Sequence, residues 1–258
     1  MKTTEQHVTK TGPLSPYLVL DLTDLQCLVC GKILADLGAE VIKVERPSGD
    51  QARSLGPFYQ DIPDRERSLL CFAFNQGKKS ITLDLQHAEG KRIFQSLVSK
   101  ADIVVESYSP GYLGSIGLSY DTLTASNPSL VLTSITAFGQ TGPYSTFRPS
   151  DIVVTALGGY LSLCGDPDRP PVRISIPIAF YLAGAEAAAS SLIALYHRSR
   201  TGQGQRVDVS AQQVLALYTI NAPAFWEVGK RLITRSGQDR AEVTSEVKSP
   251  QLWPCKDG

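Results

Sequence analysis

Apolar and polar positions along the first half of the chain alternate between two periods. The apolar run YLVLDL (17–22) is followed by a helical pattern, QCLVCGKILADLG (26–38), and by a second apolar run, EVIKVE (40–45). Gly38 stands where a helix C-terminal glycine belongs. The unit recurs as KSITLDL (79–85), AEGKRIFQSLVSKA (88–101) and DIVVESY (102–108), and then as YDTLTAS (120–126) and SLVLTSIT (129–136). Runs of these lengths in strict alternation predict right-handed crossovers and an α/β fold, a parallel sheet with helices on both faces.

The second half predicts a helix over 151–163, the proline-rich loop CGDPDRPPV (164–172), a short strand over 172–176 and an apolar helix over 179–196. That helix carries AGAEAAASS, small residues that let neighbouring backbones approach, which predicts a central position. TGQGQ reads as a turn, RVDVS as a strand and AQQVLALYTI as a helix. Periodicity fades from residue 222, so 222–250 is expected to be a linker, and QLWPCKDG (251–258) the start of a further element. Residues 1–15 are polar and read as a flexible arm leading into a domain over 16–221.

Composition narrows the class. Hydrophobic residues make up 42% and charged residues 19%, enough to bury a sizeable core and too apolar for wholesale disorder. The 25 basic and 25 acidic residues balance, so no global charge points to nucleic acid. Cys27, Cys30, Cys71, Cys164 and Cys255 form no secreted-type framework and read as reduced thiols. The N-terminus lacks a signal-peptide core. The 179–196 helix contains Glu186, Ser190 and Ser191, and a bilayer span needs about 20 strongly apolar residues. A soluble cytoplasmic protein, with neither membrane nor nucleic-acid partner, is the expectation.

The candidate chemistry is sparse. Cys27-x-x-Cys30 has redox or half-zinc spacing, but no second pair or suitably placed histidine pair accompanies it, so helix packing is the expectation and no metal site is assigned. The first strand–helix turn lacks G-x-G-x-x-G; Thr23 or Asp24 there could cap the helix. Lys43, Arg46 and Arg53 follow the second strand and Arg148 lies in FRPSD; gathered at the carboxyl edge of a sheet, they would suit an anionic, phosphate-bearing ligand. No G-x-S-x-G elbow stands out. The residues alone stop at a soluble α/β domain for which a phosphorylated ligand is a candidate.

Several strings taken in order resemble the family III CoA-transferases, the group of formyl-CoA transferase, carnitine CoA-transferase and α-methylacyl-CoA racemase. They are LDLT, ADLGAEVIKVERPSGD, KKSITLDL, ADIVVESYSPG, IGLSYDTL, NPSLV, FGQTGPY, GDPDRPPVRISIPIA and HRSRTGQGQRVDVS, spread over residues 16–210. The resemblance implies a Rossmann-like large domain and a smaller second domain, of which 251–258 would be only the beginning. It also implies ring-shaped subunits interlocked as a dimer. No prosthetic group is implied: coenzyme A and its acyl thioesters are substrates, exchanged with a free carboxylic acid. Carried over by position, CoA contacts fall at Gln26, Cys27 and Arg46, at Leu83, Asp84, Leu85 and Gln86, at Ser107, Tyr108 and Ser109, and at Arg148. Gln86 stands where some members have lysine, Ser107 commonly asparagine and Ser115 a basic residue, so weakened phosphate binding is expected.

The family nucleophile is an aspartate in (V/I)-(P/G)-x-(A/G)-D-x-x-(A/S)-G, which attacks the acyl-CoA to give a mixed anhydride and then an enzyme-bound thioester of CoA. Here the motif reads IPIAFYLAG, and Phe180 holds the aspartate position, so no catalytic residue is assigned to this chain. Glu186, six residues on, is about 9 Å further along a helix and on another face. Asp166 and Asp168 in the preceding loop are the other stand-ins. The leading expectation is a subunit of a heteromeric CoA-transferase whose paralogous partner carries the aspartate. GPFYQDIPDRERSLLCFAFN (56–75) is similar to the subgroup of the benzylsuccinate CoA-transferase, which has heteromeric members. The alternatives are a non-catalytic acyl-CoA-binding or scaffolding homologue, and an acyl-CoA racemase or isomerase.

Overall fold

The computed structural model describes residues 12–25, 27–237, 239–241, 248–250 and 255–256. Its centre is a six-stranded parallel sheet built from β1 (Leu18–Leu22), β2 (Glu40–Glu45), β3 (Lys79–Thr82), β4 (Ile103–Glu106), β5 (Val131–Thr136) and β6 (Arg206–Ser210), in the order β3-β2-β1-β4-β5-β6. The order reverses between β1 and β4, where Val19 pairs with Ile103 and Leu22 with Glu106. This is the Rossmann-like arrangement that the resemblance implied.

Strand residues alternate between two cores because successive side chains point to opposite faces. Val19, Val41, Ile103, Val105, Val131 and Ile135 pack on one face, under α1 (Val29–Asp36), α7 (Ile178–Thr201) and α8 (Ala211–Tyr218). Leu20, Leu22, Val44, Val104 and Leu132 pack on the other, under α3 (Ala88–Val98) and α5 (Tyr120–Ser126). β4 and β5 are buried along their whole length, which is why they read as continuous apolar runs rather than alternations.

The small residues of α7 do what their pattern predicted. A Cβ on Gly184 would sit 3.0 Å from Cβ of Val29 and 3.2 Å from the Cys30 nitrogen, so α1 and α7 close to near backbone contact only because that position is glycine. Ser191 is fully buried and meets Thr133 of β5 through a 2.7 Å hydroxyl pair. At the far end Arg198 ties the helix to Asp102 at 2.8 Å. α7 is long and apolar enough to cross a membrane by composition, yet half of its most apolar window is buried inside the protein, as in a core helix.

Three local expectations need correcting, and the segment read as a linker carries short elements of its own. Residues 172–176 form no strand: the Val172 amide donates to the Cys164 carbonyl at 3.0 Å, which closes the loop on itself, and Val172 and Ile176 lie exposed. The helix expected over 151–163 is α6 (Asp151–Leu157), which stops at Gly158-Gly159; Gly159 has φ 81°, and a 3-10 turn, Tyr160–Leu163, follows. α2 (Leu69–Asn75), capped by Ser68 through its 3.1 Å bond from the Cys71 amide, and α4 (Tyr112–Ser115) were not anticipated. The segment read as a linker from 222 opens with α9 (Asn221–Gly229), and the short strands β7 (Asp239–Ala241) and β8 (Lys248–Pro250) pair antiparallel within it.

Candidate functional site

Loops leaving the carboxyl ends of parallel strands converge at the switch point between β1 and β4, the place where such sheets bind ligands. Two adjoining clefts occupy it. The first, of about 540 Å3, lies over the ends of β1, β4 and β5 and the first turn of α7; Leu25, Cys27, Phe138, Phe147, Arg148 and Phe180 are among its walls. The second, of about 430 Å3, lies over the ends of β2, β3 and β4 and includes Arg46, Leu83, Asp84, Leu85, Gln86 and Tyr112. Asp24, Ser107, Tyr108 and Ser109 border both. Each volume falls in the range of small-molecule sites, roughly 300–1,000 Å3.

The shared wall is held from below. Asp21 is fully buried at the end of β1 and bonds to Lys78 at 2.8 Å, with Lys43 at 3.9 Å. Lys43, also buried, pairs with Asp50 at 3.0 Å and donates to the Thr23 carbonyl. Burial would push the Asp21 carboxyl up, but Lys78, Lys43 and the bonds from Lys78 and Thr23 outweigh it and hold it at about 2. Thr23 turns back onto Asp21 through its amide at 2.9 Å, and the Asp24 amide bonds to Oγ of Ser107 at 3.0 Å. The β1–α1 turn is thereby fixed to β4, across the switch point.

The basic groups sort differently from the expectation of a cationic edge. Lys43 is consumed in the buried network. Arg53 is locked to Glu45 at 2.7 and 2.8 Å and to Glu66 at 2.9 Å. The bonds from Arg53, reinforced by Ser80 and the Asp50 amide, outweigh burial and lower the Glu45 carboxyl to about 2. Arg46 is exposed beside the second cleft but shares its guanidinium with Asp24 at 3.6 Å. Arg148 lies exposed on the first cleft. Of the four, Arg46 and Arg148 are placed to meet an anion.

The other sequence-predicted positions are brought together unevenly. Gln26 lies outside the described residues. Cys27 borders the first cleft but is buried, and burial together with Asp24 pushes its thiol up, as burial does for Cys30; both sit in the core, as the packing reading expects. Leu85 borders the second cleft and is buried in the core cluster that holds Leu22 and Val44. Asp84 closes a turn by accepting the Gln86 amide at 2.9 Å, and the Gln86 side chain reaches the Tyr112 hydroxyl at 3.4 Å. The Tyr108 and Tyr112 ring centroids lie 4.7 Å apart, with the rings inclined 38° to each other.

Phe180 occupies the first turn of α7, buried in the core on one side and bordering the first cleft on the other. Among the described residues around that cleft Asp24 is the sole carboxylate, and it is paired to Arg46. None of the three stand-ins lines that cleft: Glu186 is exposed and accepts from Ser190 at 3.4 Å, while Asp166 and Asp168 are exposed in their loop. The acid that sequence reasoning missed is Asp151. It opens α6, is buried, and accepts the Ala179 amide at 3.0 Å, capping the start of α7 next to Phe180. Burial raises its carboxyl, and Oδ2 has no hydrogen-bond partner. An acid at the start of a helix signals only its own helix; its service to a second helix had no sequence signal. Among the described residues no group of three or more His, Cys, Asp or Glu could hold a metal ion.

Comparison with known proteins gives one answer. The family profile described as CoA-transferase family III matches residues 14–258. The chain is 41% identical over 244 residues to subunit BbsE of succinyl-CoA:(R)-benzylsuccinate CoA-transferase from Thauera aromatica, a match covering 95% of this chain and 58% of that protein. It is 39% identical to succinyl-CoA–D-citramalate CoA-transferase from Chloroflexus aurantiacus, over 95% of this chain and 60% of the relative. A CAIB/BAIF family protein from Brucella suis superimposes with a TM-score of 0.81 at 35% identity, over 88% of this chain and 60% of that one. The chain thus spans about three-fifths of the length of these relatives.

Proposed function

The chain belongs to CoA-transferase family III, and on that premise we propose that it is the nucleophile-free subunit of a heteromeric CoA-transferase. CoA would lie along the two clefts, its adenine end by Tyr108 and Tyr112, its phosphates near Arg46 and its thioester toward Phe180. The transfer moves CoA from an acyl-CoA donor, such as succinyl-CoA, to a free carboxylic acid. A partner's aspartate attacks the donor thioester carbonyl, the C–S bond breaks and CoA leaves as the thiolate. The thiolate then attacks the aspartyl carbonyl of the anhydride and expels the donor carboxylate. The acceptor carboxylate and the same thiolate repeat the exchange in reverse.

One observation carries this reading: Phe180 stands where the motif needs a carboxylate; Asp24, the one described acid on the cleft, is paired to Arg46, and Asp151 beside Phe180 spends Oδ1 on the Ala179 amide and does not line the cleft. The similarity to a protein described as a subunit supports the heteromeric part. The reading takes the chain as soluble and cytoplasmic, since α7 packs as a core helix. The test is hydroxylamine trapping. Incubated with acyl-CoA and hydroxylamine, this chain alone yields no protein hydroxamate and no transfer; with an aspartate-bearing paralogue, the two co-purify and the hydroxamate forms on the partner. A hydroxamate on this chain would overturn the reading.

A further inference from the structure

Glu106 is a buried acid that the transfer chemistry leaves unused. The sheet register sets it beside Ser134 of β5 and, one strand further, Asp208 of β6, all on one face. Arg206, two residues before Asp208, shares that face. The two charges of β6 are engaged by Gln140, which gives its amide to Asp208 at 2.9 Å and takes the Arg206 guanidinium on Oε1 at 3.0 Å. The donors bonded to Glu106 are neutral: the Tyr108 amide at 2.7 Å and Ser134. A pocket of about 130 Å3 covers this face, lined in part by Glu106, Tyr112, Ser119, Ser134, Gln140 and Arg206. Glu106 and Ser134 are buried there, and Arg206 is exposed. Ser109 and Tyr112 line both this pocket and the second cleft, so the two share a wall. Tyr108, whose amide Glu106 holds, continues that wall along both clefts.

Resting on the proposal that CoA lies along the two clefts, we infer that Glu106 is a positioning residue for CoA: it holds the Tyr108–Tyr112 wall from behind, and a proton exchanged through the pocket sets how firmly. The ionisable neighbours bear on that proton. Burial pushes the Glu106 carboxyl up to about 7, against the bonds from Ser134 and the Tyr108 amide and the charge of Arg206, while Asp208 adds to the rise. Tyr112 of α4 and Tyr120 of α5 line the same pocket. The Tyr108 phenol and the Cys27 thiol are both pushed up by burial and stay neutral. Neutral, Glu106 suits the site: one oxygen accepts the Tyr108 amide, and the protonated one can donate to Ser134 or to water, for which the pocket has room at about 30 Å3 a molecule. Ionised, it is a buried charge held by neutral donors, and it gains by drawing Arg206 off Gln140 or water into the pocket. Either rearrangement shifts the strand end that carries Tyr108. The wall is therefore firm below pH 7 and loosens as pH rises through 7.

The experiment titrates free CoA into the full chain near pH 6 and near pH 8 by calorimetry, for the wild type and for Glu106→Gln. Glutamine keeps an acceptor for the Tyr108 amide and carries no titrating proton. Titration of the CoA phosphates is common to both proteins, so the ratio of their affinities isolates Glu106. The two should bind equally at the lower pH. At the higher pH the wild type should bind about three- to tenfold more weakly, the worth of one hydrogen bond. Hydrogen exchange of residues 107–112 without ligand reads the wall itself: the wild type should exchange faster than Glu106→Gln at the higher pH and alike at the lower. A purely structural role gives the same affinity ratio, or the same relative exchange, at both pH values, and either result overturns the inference while CoA binding stands. A wild type that binds more tightly than the variant at the higher pH overturns it too. If neither protein binds CoA, the CoA reading falls and this role falls with it.

Discussion

Replacing Lys78 by methionine tests the buried network beneath the switch point. The Lys78 ammonium is 1% exposed and bonds to Oδ2 of Asp21 at 2.8 Å and to the Leu28 carbonyl at 3.1 Å. Methionine keeps the length of the stem and removes the charge, leaving Asp21 with Lys43 at 3.9 Å as its nearest ion partner. Removing one partner of a buried pair costs about 3–5 kcal/mol, because the other charge stays buried. A stability loss of about 3 kcal/mol at pH 7 is therefore expected from urea unfolding followed by far-UV circular dichroism. The pH dependence follows from the sign of the Asp21 shift. Its folded value lies near 2, below the ordinary 3.8, so its contribution is complete above about pH 4 and disappears as pH falls through 2. That difference is worth about 2 kcal/mol. The gap between the two proteins should thus be constant from pH 5 to 7 and begin to narrow below pH 4. A loss under about 1 kcal/mol with no pH dependence is what a solvent-exposed pair gives, and it would refute the view that this network holds the turn.

Two further substitutions probe the second cleft and the buried end of β4. Arg46→Ala should weaken CoA binding only about five- to tenfold, less than a free guanidinium would, because Asp24 already competes for it; unchanged affinity in titration would remove Arg46 from the site. Glu106, buried at the end of β4, is raised by burial to about 7 despite bonds from Ser134 and the Tyr108 amide. A raised carboxyl stabilises the fold fully below its unfolded value near 4.5, and that contribution is lost as pH rises through 7. Glu106→Gln should then gain on the wild type above pH 7 by up to about 3 kcal/mol and not at pH 5; parallel melting curves at both pH values would contradict this.

What the sequence discloses here is what parallel-sheet physics writes locally. EVIKVE, DIVVESY and SLVLTSIT read as strands because a doubly covered strand is rich in apolar β-branched residues, even with Lys43, Glu106 and Thr133 buried among them, and RVDVS was found beside them. VRISI over 172–176 has the same local character and is no strand: Pro170, Pro171 and Pro177 bracket it, and the Val172 amide is spent on the Cys164 carbonyl. SLLCFAFN hid a helix because it is too short to show a period. The site follows the same division. Arg46, Leu83 to Gln86 and Ser107 to Ser109 converge because every loop after a parallel strand opens on one edge. Which arginine is free there depends on partners far away in sequence: Glu66 for Arg53, Asp24 for Arg46. Asp151 was read as the start of α6, and its bond to Ala179, 28 residues on, is a tertiary fact.

Phe180 has a consequence for descent. The same ring that borders the cleft also lies in the central core with Ala183 and Ala187. Returning that position to aspartate would empty an aromatic-sized volume, a change that costs about 3–5 kcal/mol for phenylalanine to a small residue, and would leave a carboxylate facing apolar neighbours. A single-codon reversal would therefore be selected against before any activity could be favoured. The position works as a ratchet: an aspartate there would be tolerated only after the neighbours of the ring had changed first.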